Sequence, residues 1–217
     1  MEYNIISTGS KGNAVVINGC ILIDCGVPFK MLNKTYKALK IVLLTHIHSD
    51  HLNSSTIRRL SVERPTLRFG CGEWLVKKLI DCGVGKENID VFEFGKSYNY
   101  KIFSVSPVKL YHDVPNCGYR IFMNKEKLFY ATDTNTLEGI KAKGYDLYMV
   151  EANYIDEVIQ EKIKAKQAKG EYAYEIGVTH SHLSKKKCDD FICENIANNG
   201  SFIYLHQHEE KEQSNVL

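Results

Sequence analysis

A chain of 217 residues, a quarter of them charged, with a formal net charge of only +2, has room for one large hydrophobic core and lacks the basic excess of a dedicated polynucleotide binder. No apolar stretch approaches the roughly 20 residues that span a bilayer, and the opening MEYNIISTGS lacks the basic-then-apolar pattern of a secretion signal. The seven cysteines, Cys20, Cys25, Cys71, Cys82, Cys117, Cys188 and Cys193, are odd in number with no C-x-x-C pair. They favour reduced thiols in a cytoplasmic protein over a disulfide framework or a thiolate zinc site.

In chain order, YNIIS, AVVING and CILIDCG read as short strands, with Asn18-Gly19 as a tight turn. A short helix is expected over 29–39, leading into the apolar strand KIVLLTH. Residues 54–63 have helical spacing with Ser54 or Ser55 as N-cap. TLRFG is a strand, and 73–81 a helix closed by Gly83. Five strands then follow: IDVFEF, YNYKIFSVS, VKLYH, CGYRIFMN and KLFYAT. The remainder alternates, with helices expected near 136–142, over 156–169 and over 184–198, and strands YDLYMVEA and SFIYLHQH. The segment 168–182, without strong periodicity, reads as a loop over a cleft, and 209–217 as a flexible tail. Strands in both halves with helices between them fit a four-layer αββα sandwich of the α/β class, folded as a single domain over 1–217.

The chemistry concentrates in THIHSDH. His46, His48, Asp50 and His51 follow the apolar strand 41–44 within six positions. Imidazole and carboxylate together suit zinc or a similar divalent ion. Further ligand-capable residues follow later strands: His112 in KLYHD, Asp133 in FYATDT and His206 in IYLHQH. With Asp24 in ILIDCG, these residues and their order resemble the metallo-β-lactamase superfamily of metallohydrolases over nearly the whole chain.

The resemblance implies two divalent ions per subunit, zinc first and manganese as an alternative. His46, His48 and His112 would hold one ion, Asp50, His51 and His206 the other, and Asp133 would bridge them. Asp24 would support the metal-binding loop from behind. A water held between two such ions becomes a hydroxide nucleophile near neutral pH, and Asp50 could orient it.

VEANY followed by HSHLS resembles the phosphodiesterase branch that includes tRNase Z, which implies His182 as proton donor to the leaving oxygen and Glu151 as its partner. STGSKGNA resembles the start of small phage and bacterial hydrolases of this fold. Ser10 and Asn13 of this stretch, together with Tyr154, are candidate substrate contacts. The chain lacks room for the tRNA-clamping arm of tRNase Z between His112 and Asp133. The expectation is therefore a cyclic-nucleotide phosphodiesterase similar to the phage anti-Pycsar enzymes, acting in the host cytoplasm as a homodimer and touching no membrane. The alternative is a single-strand nuclease of the same fold. Lys164, Lys166, Lys169 and Lys185 to Lys187 would be its backbone contacts, or else a solvated face.

Overall fold

The computed structural model describes residues 1–207. His208 and the expected tail over 209–217 lie outside the described residues. Two six-stranded sheets make the frame. The first runs in sequence order: β1 (Tyr3–Ser7), β2 (Ala14–Ile17), β3 (Ile21–Ile23), β4 (Ile41–Leu43), β5 (Arg68–Cys71) and β6 (Ile89–Val91). Its first three strands are antiparallel neighbours, while β3 to β6 are parallel. The second contains β7 (Tyr98–Asn99), β8 (Phe103–Tyr111), β9 (Pro115–Met123), β10 (Glu126–Ala131), β11 (Leu147–Glu151) and β12 (Ser201–Leu205). There β7 to β10 are antiparallel and β10 to β12 parallel.

Period-two alternation assigns the faces. Val15 and Ile17 of β2 meet Tyr119, Ile121, Leu128, Tyr130 and Met149 of the second sheet in one core between the sheets. Ala14 and Val16 point the other way and pack beneath α1 (Ser54–Glu63) and α2 (Val76–Asp81). Phe129, Tyr148 and Val150 likewise turn outward and receive Cys188, Phe191 and Ile192 of α5 (Lys185–Asn195). Helix, sheet, sheet and helix are thus the four layers of the expected sandwich. Each such apolar side chain taken fully out of water contributes roughly 1.5–3 kcal/mol.

Two further helices, α3 (Asp156–Ala168) and α4 (Glu175–Ser181), build a satellite cluster of Ile159, Ile163 and Ala173 with Tyr154 and Val178. α4 occupies the stretch read from sequence as a cleft loop, a correction to that reading. Its first residue, Glu175, is tied to Lys166 of α3 at 2.6 Å, a tertiary anchor that weak local periodicity does not reveal.

Other local readings are also corrected. Residues 29–39 form two short 3₁₀ turns, Phe29–Leu32 and Thr35–Lys37, separated at Asn33, whose φ of 46° breaks the helix. Residues 136–142 form no regular helix. Thr134 Oγ1 donates to the Thr136 carbonyl at 2.9 Å, the Thr136 hydroxyl accepts from Glu138 N at 3.1 Å, and Gly139 turns at φ 77°. α1 is capped by Asn53, whose side chain accepts from Thr56 N, rather than by Ser54 or Ser55. The strand read as YNYKIFSVS is split into β7 and the start of β8, and β8 runs on through Pro107 into the strand read as VKLYH. β7 ends its pairing with β8 at Val105, so Pro107 sits where β8 has only β9 beside it and the missing N–H orphans no partner.

Candidate metal centre

Except for His182, which follows the last residue of α4, the residues of the predicted constellation leave the carboxyl ends of strands, and these ends meet at one rim of the sandwich. Asp24 follows β3, His46 to His51 follow β4, His112 follows β8, Asp133 follows β10, Glu151 ends β11 and His206 follows β12. Three of them hold left-handed backbone that glycine favours: Asp24 at φ 57°, Asp133 at 55° and His206 at 50°. Such conformations persist in non-glycine residues where the surroundings fix them, and they concentrate at functional sites.

The side chains converge into two groups that share Asp133. His46, His48, His112 and Asp133 offer ligand atoms all within 4.8 Å of one another, as do Asp50, His51, Asp133 and His206. In the first group His46 Nε2 lies 3.1 Å and His112 Nε2 3.3 Å from His48 Nδ1. Asp133 Oδ2 lies 3.6 Å from His46 Nε2, 3.7 Å from His112 Nε2 and 3.4 Å from His51 Nε2. Four donors at zinc-like bonds of about 2.0–2.1 Å stand about 3.3 Å apart. In the second group His51 Nε2 and His206 Nε2 are 3.5 and 3.6 Å from Asp50 Oδ2. His206 Nε2 is buried with no hydrogen-bond partner. An unpartnered imidazole nitrogen facing carboxylates is what a ligand to a cation looks like, and both donor sets fit divalent metal.

The far nitrogens are fixed by acceptors, which sets the tautomers. His51 Nδ1 donates to Asp24 Oδ2 at 2.8 Å, and His46 Nδ1 donates to Thr45 Oγ1 at 2.9 Å. The Thr45 hydroxyl and backbone N–H both end on Asp24 Oδ1, at 2.9 and 3.0 Å. His112 Nδ1 donates to the Ser181 carbonyl at 2.7 Å. Fully buried Asp24 thus orients two histidines at once, one directly and one through Thr45.

Glu151 does the same on the other sheet. Its Oε1 accepts from His182 Nδ1 at 2.5 Å and His206 Nδ1 at 3.2 Å, while Oε2 accepts from Thr134 N at 3.0 Å and Leu183 N at 3.2 Å. His182 and His206 stack with centroids 5.2 Å apart, and His182 lies 5.1 Å from the His112 ring. Asp133, Glu151, His182 and His206 form a third ligand-capable cluster.

The electrostatics divide along the same line. Burial, aided by His51, holds His46 well below the usual histidine range, and burial also lowers His112, so both are neutral bases. Burial pushes the same way on His206 and His51, but carboxylates outweigh it. Asp50 and Glu151 lift His206 to about 10, and Asp133 and Asp24 lift His51. Against burial, the neighbouring histidines keep Asp50 and Asp133 below the normal carboxylate range. His182 is raised, because Glu151 overcomes the opposing effect of its burial.

These contacts and distances are compatible with a known family. The profile of the beta-lactamase superfamily domain matches residues 20–188, more than half of the chain. The chain belongs to the beta-lactamase superfamily. Its architecture is the metallo-β-lactamase fold. Among this superfamily member's relatives is exodeoxyribonuclease WalJ of Streptococcus pneumoniae, 24% identical over 225 residues that span 94% of this chain and 80% of the relative. Similar solved structures include the metallo-beta-lactamase fold protein YhfI from Bacillus subtilis (TM-score 0.72, 16% identity, 96% of this chain and 87% of that one). Human tRNase Z, short form, follows at TM-score 0.70 and 15% identity over 96% of this chain and 93% of that one. A diphosphatase from the PhnP family gives TM-score 0.65 and 14% identity over 94% and 85%.

The remaining predicted residues are distributed around the superfamily's rim. Asn13 is 2% exposed, and its Nδ2 lies 2.8 Å from His51 Nε2 and 3.2 Å from the Asp50 carbonyl. Ser10 is exposed on the loop before it, and half-buried Tyr154 follows Asn153 beside α3. Of the lysines considered as backbone contacts, Lys166, Lys185 and Lys186 are ion-paired with Glu175, Asp189 and Asp190.

Four residues that hold the site were not singled out from sequence. Thr45 links His46 to Asp24. Asn116, buried, donates to the Thr132 and Asp133 carbonyls at 3.0 and 2.5 Å and fixes the turn that presents Asp133. Asn153 donates to the His206 carbonyl at 3.0 Å. At Gly26 a Cβ would sit 1.7 Å from the Asp50 carbonyl oxygen, so only glycine lets the β3 loop support the THIHSDH loop. The CG dipeptide after Asp24 was the one available signal. No described helix is long and apolar enough to cross a membrane.

Proposed function

We propose that the chain is a two-metal phosphodiesterase acting on nucleotide substrates, with the end of a single DNA strand as the substrate. The observation that carries the reaction class is the His182–Glu151 pair at 2.5 Å, placed beside two ligand groups that share Asp133. Two divalent ions held there would supply a water deprotonated near neutral pH and a counter-charge for the phosphoryl oxygens. His46, His48, His112 and Asp133 would hold one, and Asp50, His51, His206 and Asp133 the other. Zinc suits the imidazole-rich first group, and manganese is the second choice for the more carboxylate-rich one.

The chain's own residues do the rest. Asp50, partly exposed, orients the attacking water through its carboxylate. His182 carries a proton on Nε2 when charged, and Nδ1–H is committed to Glu151, so the imidazolium is aimed for donation to the departing oxygen. Glu151 keeps that proton in place by raising the His182 pKa. Asp24 and Thr45 hold the histidine orientations that make the rim rigid.

Support for DNA comes from the exodeoxyribonuclease relative, which is matched along nearly the whole chain. The 3′,5′-cyclic mononucleotide is the second reading. It rests on the motif-level resemblance and on the short connection between β8 and β9, which leaves no arm to clamp a folded RNA. The test is a panel assay on metal-reconstituted protein with bis(p-nitrophenyl) phosphate, labelled single strands and cyclic mononucleotides. Release of mononucleotides from strand ends is the expected result. Cyclic-nucleotide opening without strand cleavage would select the second reading, and inertness toward every diester would refute the reaction class.

A further inference from the structure

The two main ligand groups leave a further set of donor atoms unused. Asp133 faces His46 and His51 with Oδ2, and His206 faces Asp50 with Nε2. Asp133 Oδ1 and His206 Nδ1 turn the other way and lie 3.5 Å apart, with Thr132 Oγ1 donating to that Asp133 oxygen at 2.8 Å. Glu151 Oε1 stands 3.2 Å from His206 Nδ1 and 2.5 Å from His182 Nδ1. Asp133, Glu151, His182 and His206 each bring a ligand atom within 4.8 Å of all the others.

These four residues differ in freedom. His206 belongs to the second group through Nε2 and gives Nδ1–H to Glu151, so here it orients the carboxylate. Glu151 is fully buried, and its Oε2 is pinned by the N–H groups of Thr134 and Leu183 at 3.0 and 3.2 Å. His182 is the member able to move, because it stands in extended backbone just past the seven-residue α4. Zinc bonds of about 2.0–2.1 Å set donors about 3.3 Å apart, so the 2.5 Å contact of His182 with Glu151 must open by about 0.8 Å. Asp133, Glu151 and His182 then supply three protein ligands, one fewer than either main group. Fewer charged, rigid donors bind more weakly, so this position fills last.

We infer that Asp133, Glu151 and His182 form a third, inhibitory ion site, filled by zinc beyond two equivalents. The ion takes the place of the proton shared by His182 Nδ1 and Glu151 Oε1, and that proton leaves to solvent. With a metal on Nδ1 the ring keeps Nε2–H only as a neutral imidazole, whose loss would leave an imidazolate. It is then a poor acid toward the departing oxygen, and turnover falls. Manganese binds imidazole and carboxylate more weakly than zinc and should not inhibit over the same range. The inhibition rests on the phosphodiesterase reading above, whereas the site itself does not.

The test titrates zinc chloride into the full chain already carrying two equivalents of zinc. Equilibrium dialysis with elemental analysis counts the bound ions, and ¹⁵N NMR of the histidine rings follows His182. A third equivalent should bind about tenfold or more weakly than the first two and shift the His182 ring nitrogens. Turnover of bis(p-nitrophenyl) phosphate should fall in step, by about 10²-fold at saturation, as a general acid is lost. His182→Ala should hold two equivalents and lose the third, and His182→Gln replaces it should the first fail to fold by circular dichroism. His180→Ala and Cys193→Ser, which remove exposed donors, should keep the third equivalent. A third ion that survives in the His182 variant, or that vanishes with the exposed donors, would overturn the inference. Turnover with no third equivalent refutes the ion site alone. A third ion on His182 in protein that turns over no diester at two equivalents refutes the phosphodiesterase reading alone.

Discussion

Asp24 and Glu151 are the buried carboxylates around which the individual side chains organise, one on each sheet. Asp24 reaches His51 directly and His46 through Thr45. Asp24→Asn should therefore weaken metal binding by about 10–100-fold, a typical loss when an orienting partner is removed. Competition with a chromogenic chelator measures it, and unchanged affinity would show that the histidines are oriented by other means. His182→Ala should lower turnover by about 10²–10⁴-fold, the usual contribution of a general acid, while metal content stays intact. The pH dependence has a definite sign. Glu151 raises the His182 pKa, so the donatable proton is retained to higher pH than an ordinary histidine near 6.5 allows. Stability from the pair is complete below that ordinary value and fades as pH climbs through the raised one. In Glu151→Gln the alkaline limb of kcat against pH should move to lower pH. A limb that does not move would place the proton elsewhere.

At the scale of elements, the strands were legible because their alternation is strong and both sheets have one buried and one helix-covered face. THIHSDH was legible because four ligands sit in one contiguous run. Elements whose form depends on distant partners were not. α4 is fixed by Lys166 on another helix, and the broken turn at Asn33 and the side-chain hydrogen bonds at Thr134 and Thr136 override local helical spacing. Gly26 is the sharpest case, since the CG dipeptide marks a turn but does not announce that the Asp50 carbonyl will lie against it. Gly26→Ala must separate the two loops, and overpacking of this kind costs about 1–3 kcal/mol. We expect a lowered unfolding midpoint in urea together with reduced metal occupancy. Full occupancy with an unchanged midpoint would mean that the loops relax freely.

Across the whole molecule, composition and charge bounded the protein class but could not choose among phosphodiester substrates, because neither carries the three-dimensional arrangement of the residues around the rim. All seven thiols are free, and packing sets their reactivity. Six of the seven cysteines are buried, and only Cys193 is exposed. Burial pushes Cys71 and Cys188 up to about 12, which suppresses their thiolates at neutral pH. Native protein treated with iodoacetamide should take up one label, at Cys193, and seven after unfolding. Mass spectrometry counts them, and rapid native labelling of a second site would contradict the packing.

The two sheets have matching plans, each an antiparallel half passing into a parallel half, and the ligands are divided between them. His46, His48, Asp50 and His51 belong to the first sheet's connections, and His112, Asp133 and His206 to the second's. Ions seated in this rim would rivet one half of the chain to the other across a seam otherwise closed by side-chain packing. Chelation should then part a mechanical joint as well as remove reactivity. At free metal about 1,000 times its dissociation constant, each rivet is worth about 4 kcal/mol to the folded state. Calorimetry with and without EDTA reads this directly as a drop in Tm on chelation, and an unchanged Tm would mean that the halves hold together without them.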